Sequence, residues 1–313
     1  MAAKLALAQG ARSKVLFEAT DASREERELN VFGGTKPIYG SDERMDWGTI
    51  RDRRIKAIAA ASVALIDRLA LTEEESGKIR LSALSLEDRL NLCPGQRFLK
   101  QWSSSFCSGV LVGTDQVLTA GHCIYEASHD RDAVRLESIR FAFGYTSNSQ
   151  HDPGRAIFDK AQIFAAQELI AGKYRDGGDD WAVVRLDRAV PKEIAEPIRV
   201  GRTRIEKGAP IFVVGYPSGL PLKYSPGAEV LQEDTPTSFK ANLDTFGGNS
   251  GSGVFSSASN ELVGILVSGE TDYHRSKTAL CNEAYLCPRY GCSGERVIRI
   301  ESVNFPSGDA AGR

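Results

Sequence analysis

Short apolar runs of β type, interrupted by turns, make up most of this chain. They recur in both halves of the sequence, at residues 107–113, 117–123, 139–143, 156–158, 180–186, 211–217, 238–241, 262–267 and 296–300. Many short strands spaced by turns are typical of an all-β barrel or sandwich. At 313 residues, the chain would suit two packed halves with separate cores plus an extension.

Three stretches depart from this pattern. Residues 51–70 combine a helical stripe of apolar side chains with the strand-like run 62–66, which predicts a helix leading into a strand. Residues 72–87 are polar with scattered leucines and predict a loop or a short helix. The segment from Pro191 to Pro197 is expected to connect the two halves.

The glycine-rich segment 245–253 (TFGGNSGSG) carries Ser250 in its centre. A serine hydroxyl becomes a good nucleophile only when a neighbouring base takes its proton, so a histidine and a carboxylate must accompany it. Glycines on both sides of Ser250 permit positive φ and let backbone N–H groups turn inward, as an oxyanion pocket requires. The same residue types also build ordinary surface loops.

A histidine and an aspartate with suitable framing precede this segment. His122 ends the run 117–123 beside Cys123, and a disulfide from Cys123 to Cys107 would fix it at a strand end. Asp180 opens the apolar run 180–186, where a carboxylate can orient an imidazole, although an aspartate there is also a common turn residue. The other three histidines, His129, His151 and His274, lie in polar stretches typical of the surface.

The segments 119–123 (TAGHC), 180–184 (DWAVV) and 248–253 (GNSGSG), in the order His, Asp, Ser, resemble the signatures of the trypsin-like (chymotrypsin-fold) serine proteases. The third segment is most similar to the bacterial branch that includes the glutamyl endopeptidases. The resemblance covers roughly Ile38 to Phe305. It implies an all-β fold of two six-stranded antiparallel β-barrels with the active site in the cleft between them.

This resemblance also implies a division of the chain. Residues 1–36 would be an N-terminal extension or pro-segment. Residues 37–190 would form the first barrel, with His122 and Asp180. Residues 191–313 would form the second, with Ser250 and the specificity pocket.

The expected function is that of a serine endopeptidase. Ser250 would attack a peptide carbonyl, His122 would accept its proton, Asp180 would orient His122, and the N–H groups of Gly248 and Ser250 would form the oxyanion hole. The alternatives are an esterase that uses the same triad and a binding module on a protease fold without turnover. None of these readings requires a metal or an organic cofactor.

The resemblance places the primary specificity pocket around Asp244, Thr245, Leu266 and Gly269. Asp244 lies six residues before Ser250, where trypsin-like enzymes hold the carboxylate that favours Arg or Lys at the cleaved position. Asp244 could equally belong to a turn. Leu266 occupies the place at which glutamyl enzymes carry a histidine, which argues against a glutamate preference, although His274 in the following loop could supply one.

The residue before the nucleophile is Asn249, where trypsin itself has an aspartate that pairs with the freed N-terminal amine. A neutral amide cannot make that ion pair. We therefore expect the oxyanion turn to form without N-terminal insertion, and removal of the extension, near Lys36, to act by unblocking the cleft.

The six cysteines indicate possible disulfide bonds and the cellular compartment of the protein. Beyond Cys107 and Cys123, the remaining Cys93, Cys281, Cys287 and Cys292 allow three disulfide pairings or, alternatively, a zinc site. Disulfides favour a secreted or periplasmic protein. Residues 5–8 are too short an apolar run for a signal-peptide core, which leaves a cytoplasmic protein with reduced thiols as the alternative.

Charge and hydropathy exclude some partners. The net charge of −2 gives no electrostatic reason to expect nucleic acid or an anionic membrane, and no apolar run is long enough to cross a bilayer. A protein or peptide substrate is the expected partner.

Overall fold

A computed structural model describes residues 38–125, 133–149, 155–175, 178–269 and 271–305. The expected extension at residues 1–36, and both His129 and His151, lie outside these ranges. The strands, in chain order, are β1 (Ile38–Tyr39), β2 (Met45–Asp46), β3 (Ser62–Asp67), β4 (Leu71–Glu73), β5 (Lys78–Ser82), β6 (Leu84–Ser85), β7 (Trp102–Ser103), β8 (Cys107–Leu111), β9 (Gln116–Thr119), β10 (Ile139–Phe143), β11 (Arg155–Asp159), β12 (Ile163–Tyr174), β13 (Asp180–Leu186), β14 (Pro210–Gly215), β15 (Lys223–Thr235), β16 (Ser238–Ala241), β17 (Gly253–Ser256), β18 (Leu262–Ser268), β19 (Tyr273–Arg275), β20 (Asn282–Ala284), β21 (Leu286–Cys287) and β22 (Glu295–Arg299).

Two closed antiparallel barrels organise these strands. The first closes in the order β10-β12-β13-β9-β8-β3. The second runs β14-β17-β18-β22-β16-β15 and closes through the pairing of β15 with β14. The expected trypsin-like fold of two six-stranded barrels is thereby confirmed.

The helix expected before the first barrel is confirmed. α1 (Arg53–Ala60) begins where the Asp52 side chain accepts a hydrogen bond from the Arg54 N–H, and it leads directly into β3. Ile55, Ile58 and Ala59 form its buried face. None of the helices in the described ranges is long and apolar enough to cross a membrane.

Residues 72–87 were expected as a loop or short helix, and this expectation is only partly right. α2 (Leu86–Leu90) starts at the end of the stretch, after Ser85 caps the Asp88 N–H. However, β4 and β5 pair with each other and β5 pairs with β11, which makes a separate three-stranded sheet. The alternation of buried Ile79 and Leu81 with more exposed neighbours is the strand pattern that the scattered leucines obscured.

Residues 38–46 fall within the half expected to form the first barrel but pair with the second half of the chain. β1 runs parallel to β21, and β2 extends the second barrel sheet along β15. The largest hydrophobic cluster spans both barrels, with Val63 and Phe141 from the first and Phe212 and Ile265 from the second.

Three disulfides join the six cysteines. The expected Cys107–Cys123 bond is present, and the other two are Cys93–Cys281 and Cys287–Cys292. The alternative of a zinc site from the last four cysteines is therefore wrong, because their sulfurs are bonded to one another. The three bonds suggest an oxidising environment, extracellular or periplasmic.

Candidate active site

His122 lies on a short 3-10 turn, Gly121–Cys123, that follows β9 directly. The Cys107–Cys123 disulfide ties this turn to the start of β8. A Cβ at Gly121 would lie 2.4 Å from the Lys173 carbonyl oxygen and 3.1 Å from Asp180 Oδ1, so only glycine lets the turn approach β12 and β13 this closely.

Asp180, the first residue of β13, holds His122 at two points. Its Oδ2 lies 2.7 Å from His122 Nδ1, and its Oδ1 accepts the His122 backbone N–H at 2.9 Å. With Asp180 ionised, Nδ1 donates, so the lone pair of the neutral imidazole lies on Nε2. Nε2 has no hydrogen-bond partner among the described residues.

The turn that carries Ser250 packs against the same disulfide as His122. The Ser250 carbonyl oxygen accepts the Ser108 N–H at 2.8 Å and lies 3.7 Å from Cys123 Sγ, a sulfur without a hydrogen because it is oxidised. A His122 ring nitrogen lies within 4.8 Å of that sulfur. Three segments that are far apart in the sequence therefore meet at one place.

Hydrogen bonds fix the orientation of two successive peptides of this turn, Gly247–Gly248 and Gly248–Asn249. The Gly247 carbonyl accepts the Ser218 N–H at 2.5 Å, and the Gly248 carbonyl accepts Ser108 Oγ at 2.7 Å. In a trans peptide the N–H points opposite to the C=O, so the Gly248 N–H points away from Ser218. Gly248 and Gly251 have φ of 91° and 85°, which explains the glycines that flank Ser250.

Asn249 makes its contact within the turn. Its Oδ1 accepts Ser252 Oγ at 3.1 Å, and the side chain is buried. Gly215 leaves room for this pair, because a Cβ there would lie 1.8 Å from Ser252 Oγ.

A family model for the trypsin-like peptidase domain matches residues 107–265, half of the chain and all of the segments just described. The chain belongs to the trypsin-like peptidase family. Among solved structures, it is similar to a Glu endopeptidase in complex with MPD, with 18% identity over 78% of this chain and 91% of that one and a TM-score of 0.47. A search of curated proteins found no match.

In this peptidase Asp244 is not the open carboxylate that the sequence predicted for the specificity pocket. Its Oδ1 accepts the Tyr39 N–H at 2.7 Å and its Oδ2 accepts the Glu43 N–H at 3.1 Å. Burial raises the pKa of Asp244 to about 6, against the opposing effect of these two hydrogen bonds. Asp244 therefore anchors residues 39–43.

Leu266 also differs from its expected role. Its side chain is fully buried in the core of the second barrel, and its backbone supports the nucleophile turn by accepting the Gly251 N–H at 2.7 Å. It therefore lines that core and not a pocket. His274 lies on β19 with its Nε2 3.7 Å from a carboxylate oxygen of Glu283 on the paired strand.

Thr245 and Gly269 do come together, around a carboxylate that sequence reasoning missed. Thr245 Oγ1 donates to Glu295 Oε2 at 2.8 Å, and a Cβ at Gly269 would lie 2.1 Å from that oxygen. Glu295 is fully buried at the start of β22. The available signal was the position of Glu295 directly before the strand-like run 296–300.

The described ranges contain one group of three neighbouring residues of metal-ligating types, Cys107, His122 and Cys123. Both sulfurs are joined in a disulfide and cannot act as thiolate ligands. This grouping is therefore part of the support for His122 and not a metal site.

Proposed function

We propose that this peptidase is a serine endopeptidase whose catalytic triad is His122, Asp180 and Ser250. The observation that carries the proposal is the two-point hold of Asp180 on His122, beside the turn that bears Ser250. This hold supports the tautomer in which Nε2 can accept a proton.

The reaction would follow from these parts. Ser250 Oγ attacks the peptide carbonyl carbon while His122 Nε2 takes the hydroxyl proton. His122 then gives that proton to the leaving amine, which departs and leaves an acyl ester on Ser250. Water, deprotonated by His122, attacks the ester, and the acid product leaves with the serine regenerated.

The Gly248 and Ser250 N–H groups would bind the oxyanion of the tetrahedral intermediates. Each such donor is worth about 3 to 4 kcal/mol in the transition state. The support for Gly248 is the orientation of its peptide, which the Ser218 N–H holds from the opposite side.

The preference for Arg or Lys at the cleaved position is kept in the proposal but assigned to Glu295 in place of Asp244. Glu295 contacts Thr245 and Gly269, two residues expected around the pocket, whereas Asp244 anchors residues 39–43. If a substrate side chain reaches Glu295, this carboxylate would attract a basic side chain and repel an acidic one.

A serine-reactive fluorophosphonate probe tests the triad. We expect labelling of the wild type and none of Ser250→Ala. Asp180→Asn should lower kcat by about 10⁴-fold, because it stabilises the wrong tautomer of His122. Ser257→Ala, at an exposed serine, is the matched control and should behave as wild type.

The outcomes separate the candidate functions. Labelling with ester cleavage but no peptide cleavage indicates the esterase. No labelling under any condition refutes the enzyme and favours a binding module.

Peptides that differ only in Arg, Lys, Glu, Leu or Phe at the cleaved position test the preference. Glu295→Gln should reduce the advantage of Arg and Lys, while Glu283→Gln, at the residue beside His274, should leave it unchanged. Selective cleavage after Glu would refute the role of Glu295.

A further inference from the structure

We propose that Asp272 is a positioning residue for the oxyanion turn, a role that rests on the proposed serine mechanism. Its Oδ2 accepts the Gly247 N–H at 2.8 Å, and the side chain is buried. Asp272 lies 25 residues from Gly247 in sequence and outside all three family signatures.

Three successive peptides of the turn are each held by a different partner. Asp272 holds the Phe246–Gly247 peptide, the Ser218 N–H holds Gly247–Gly248, and Ser108 Oγ holds Gly248–Asn249. The middle peptide supplies the Gly248 N–H. Asp272 is the only charged side chain among these three contacts.

Such restraint is needed because two adjacent glycines present little steric barrier to a peptide flip. A flip of the Gly247–Gly248 peptide would replace the Gly248 N–H by a carbonyl oxygen at the oxyanion site. Asn249 cannot prevent it through an ion pair with an N-terminal amine, since its amide is neutral and bonds to Ser252. Asp272 provides the anchoring that an ion pair would otherwise supply.

The next residue, Tyr273, supports the neighbouring Gly247–Gly248 peptide through Ser218. The Tyr273 hydroxyl lies 2.6 Å from Ser218 Oγ, and Ser218 is a non-glycine residue at φ 52° whose N–H bonds to the Gly247 carbonyl. The Tyr273 ring stacks on Phe246 with centroids 4.8 Å apart. Asp272 and Tyr273 therefore hold the peptides on both sides of Gly247, one directly and one through Ser218.

The test compares Asp272→Ala with Asp272→Asn. The alanine variant should lose about 10- to 100-fold in kcat with KM within about twofold, since misplacing a catalytic group by about 1 Å can cost 10²-fold. The asparagine variant should keep most of kcat, because its amide oxygen can still accept the Gly247 N–H. Tyr273→Phe keeps the stacked ring and should show a smaller loss in kcat.

Asp67→Ala is the matched control. Asp67 Oδ1 accepts the Leu69 N–H at 2.8 Å in an exposed turn of the first barrel, so its loss removes a similar hydrogen bond without touching the site. Its kcat should equal that of the wild type. If Asp272→Ala does not fold, Asp272→Glu decides: it keeps the charge but displaces the oxygens, and it must lower kcat.

A second readout does not depend on catalysis. In a Ser250→Ala background, Asp272→Ala should raise hydrogen exchange at residues 246–249 at least about tenfold, because the Gly247 N–H loses its acceptor. An inactive wild type would refute the triad, but this exchange measurement would still decide the role of Asp272. Unchanged exchange, wild-type kcat in Asp272→Ala or Asp272→Glu, or an asparagine variant as impaired as alanine would each overturn it.

Discussion

The Asp244 carboxyl should make the wild type less stable as the pH rises, whereas a usual carboxylate makes a protein more stable. Asp244→Asn should remove this loss of stability. Burial raises the pKa of Asp244 from 3.8 to about 6 in the folded protein. Between these two values the folded state binds a proton that the unfolded state has released. The free energy of unfolding therefore falls as the pH rises from about 4 to 6.

The size of this effect follows from the shift. About two pKa units at 1.36 kcal/mol each correspond to about 3 kcal/mol, lost by the wild type as it goes from the acidic to the neutral end of the window. An asparagine does not titrate, but its amide nitrogen cannot accept the Glu43 N–H, so the variant loses one hydrogen bond at every pH. We expect Asp244→Asn to be less stable than the wild type near pH 4 because of that lost hydrogen bond, and to gain up to about 3 kcal/mol relative to the wild type between pH 4 and pH 7.

Urea unfolding at several pH values between 4 and 7, in a Ser250→Ala background that prevents self-digestion, measures this difference. Asp42→Asn is the contrasting control. Hydrogen bonding and ion pairing with Arg44 outweigh burial and lower the pKa of Asp42, so its removal should destabilise the protein at pH 7. If Asp244→Asn keeps the wild-type slope of stability between pH 4 and pH 7, the reasoning is refuted.

Two further predictions concern the disulfides and the histidine turn. Loop-closure entropy predicts that loss of Cys93–Cys281, with a sequence separation of 188, costs about 5 kcal/mol, against about 2 kcal/mol for Cys287–Cys292, with a separation of 5. Guanidinium unfolding of the two double-serine variants measures the difference, and equal costs would contradict the entropic account. Gly121→Ala should lower kcat at temperatures at which the variant is still folded, because its Cβ would lie 2.4 Å from a backbone oxygen and displace the turn. Activity that falls only in step with stability would contradict this.

Local sequence signals identified the parts of the site that lie on strand ends. The runs around His122 and Asp180 carry their own strand pattern, and the glycines beside Ser250 require the positive φ that the structure has. The change from helix to strand within residues 51–70 could also be predicted, because the spacing of the apolar residues changes from helical to strand-like within a few residues. These features depend on neighbours in the sequence.

The contacts that sequence reasoning missed all join distant segments. Asp244 accepts a backbone N–H from Tyr39, 205 positions away, and backbone donors leave no trace in residue type. Asp272 bonds to the Gly247 backbone in the same way. The carboxylate at position 244 was visible in the sequence, but its partner was not, so its role could not be predicted.

The segment that Asp244 anchors is followed directly by a residue that contacts the oxyanion turn. Its two hydrogen bonds fix residues 39 and 43, and the next residue, Arg44, lies with its guanidinium carbon 4.4 Å from the centre of the Phe246 ring. Phe246 stacks on Tyr273 as well, and it directly precedes the Gly247–Gly248 peptide. Arg44, which follows the anchored residues 39–43, and Tyr273 thus contact the same aromatic ring at the start of the oxyanion turn. A carboxylate that is unfavourable at neutral pH is in this way linked to the geometry on which oxyanion binding would depend.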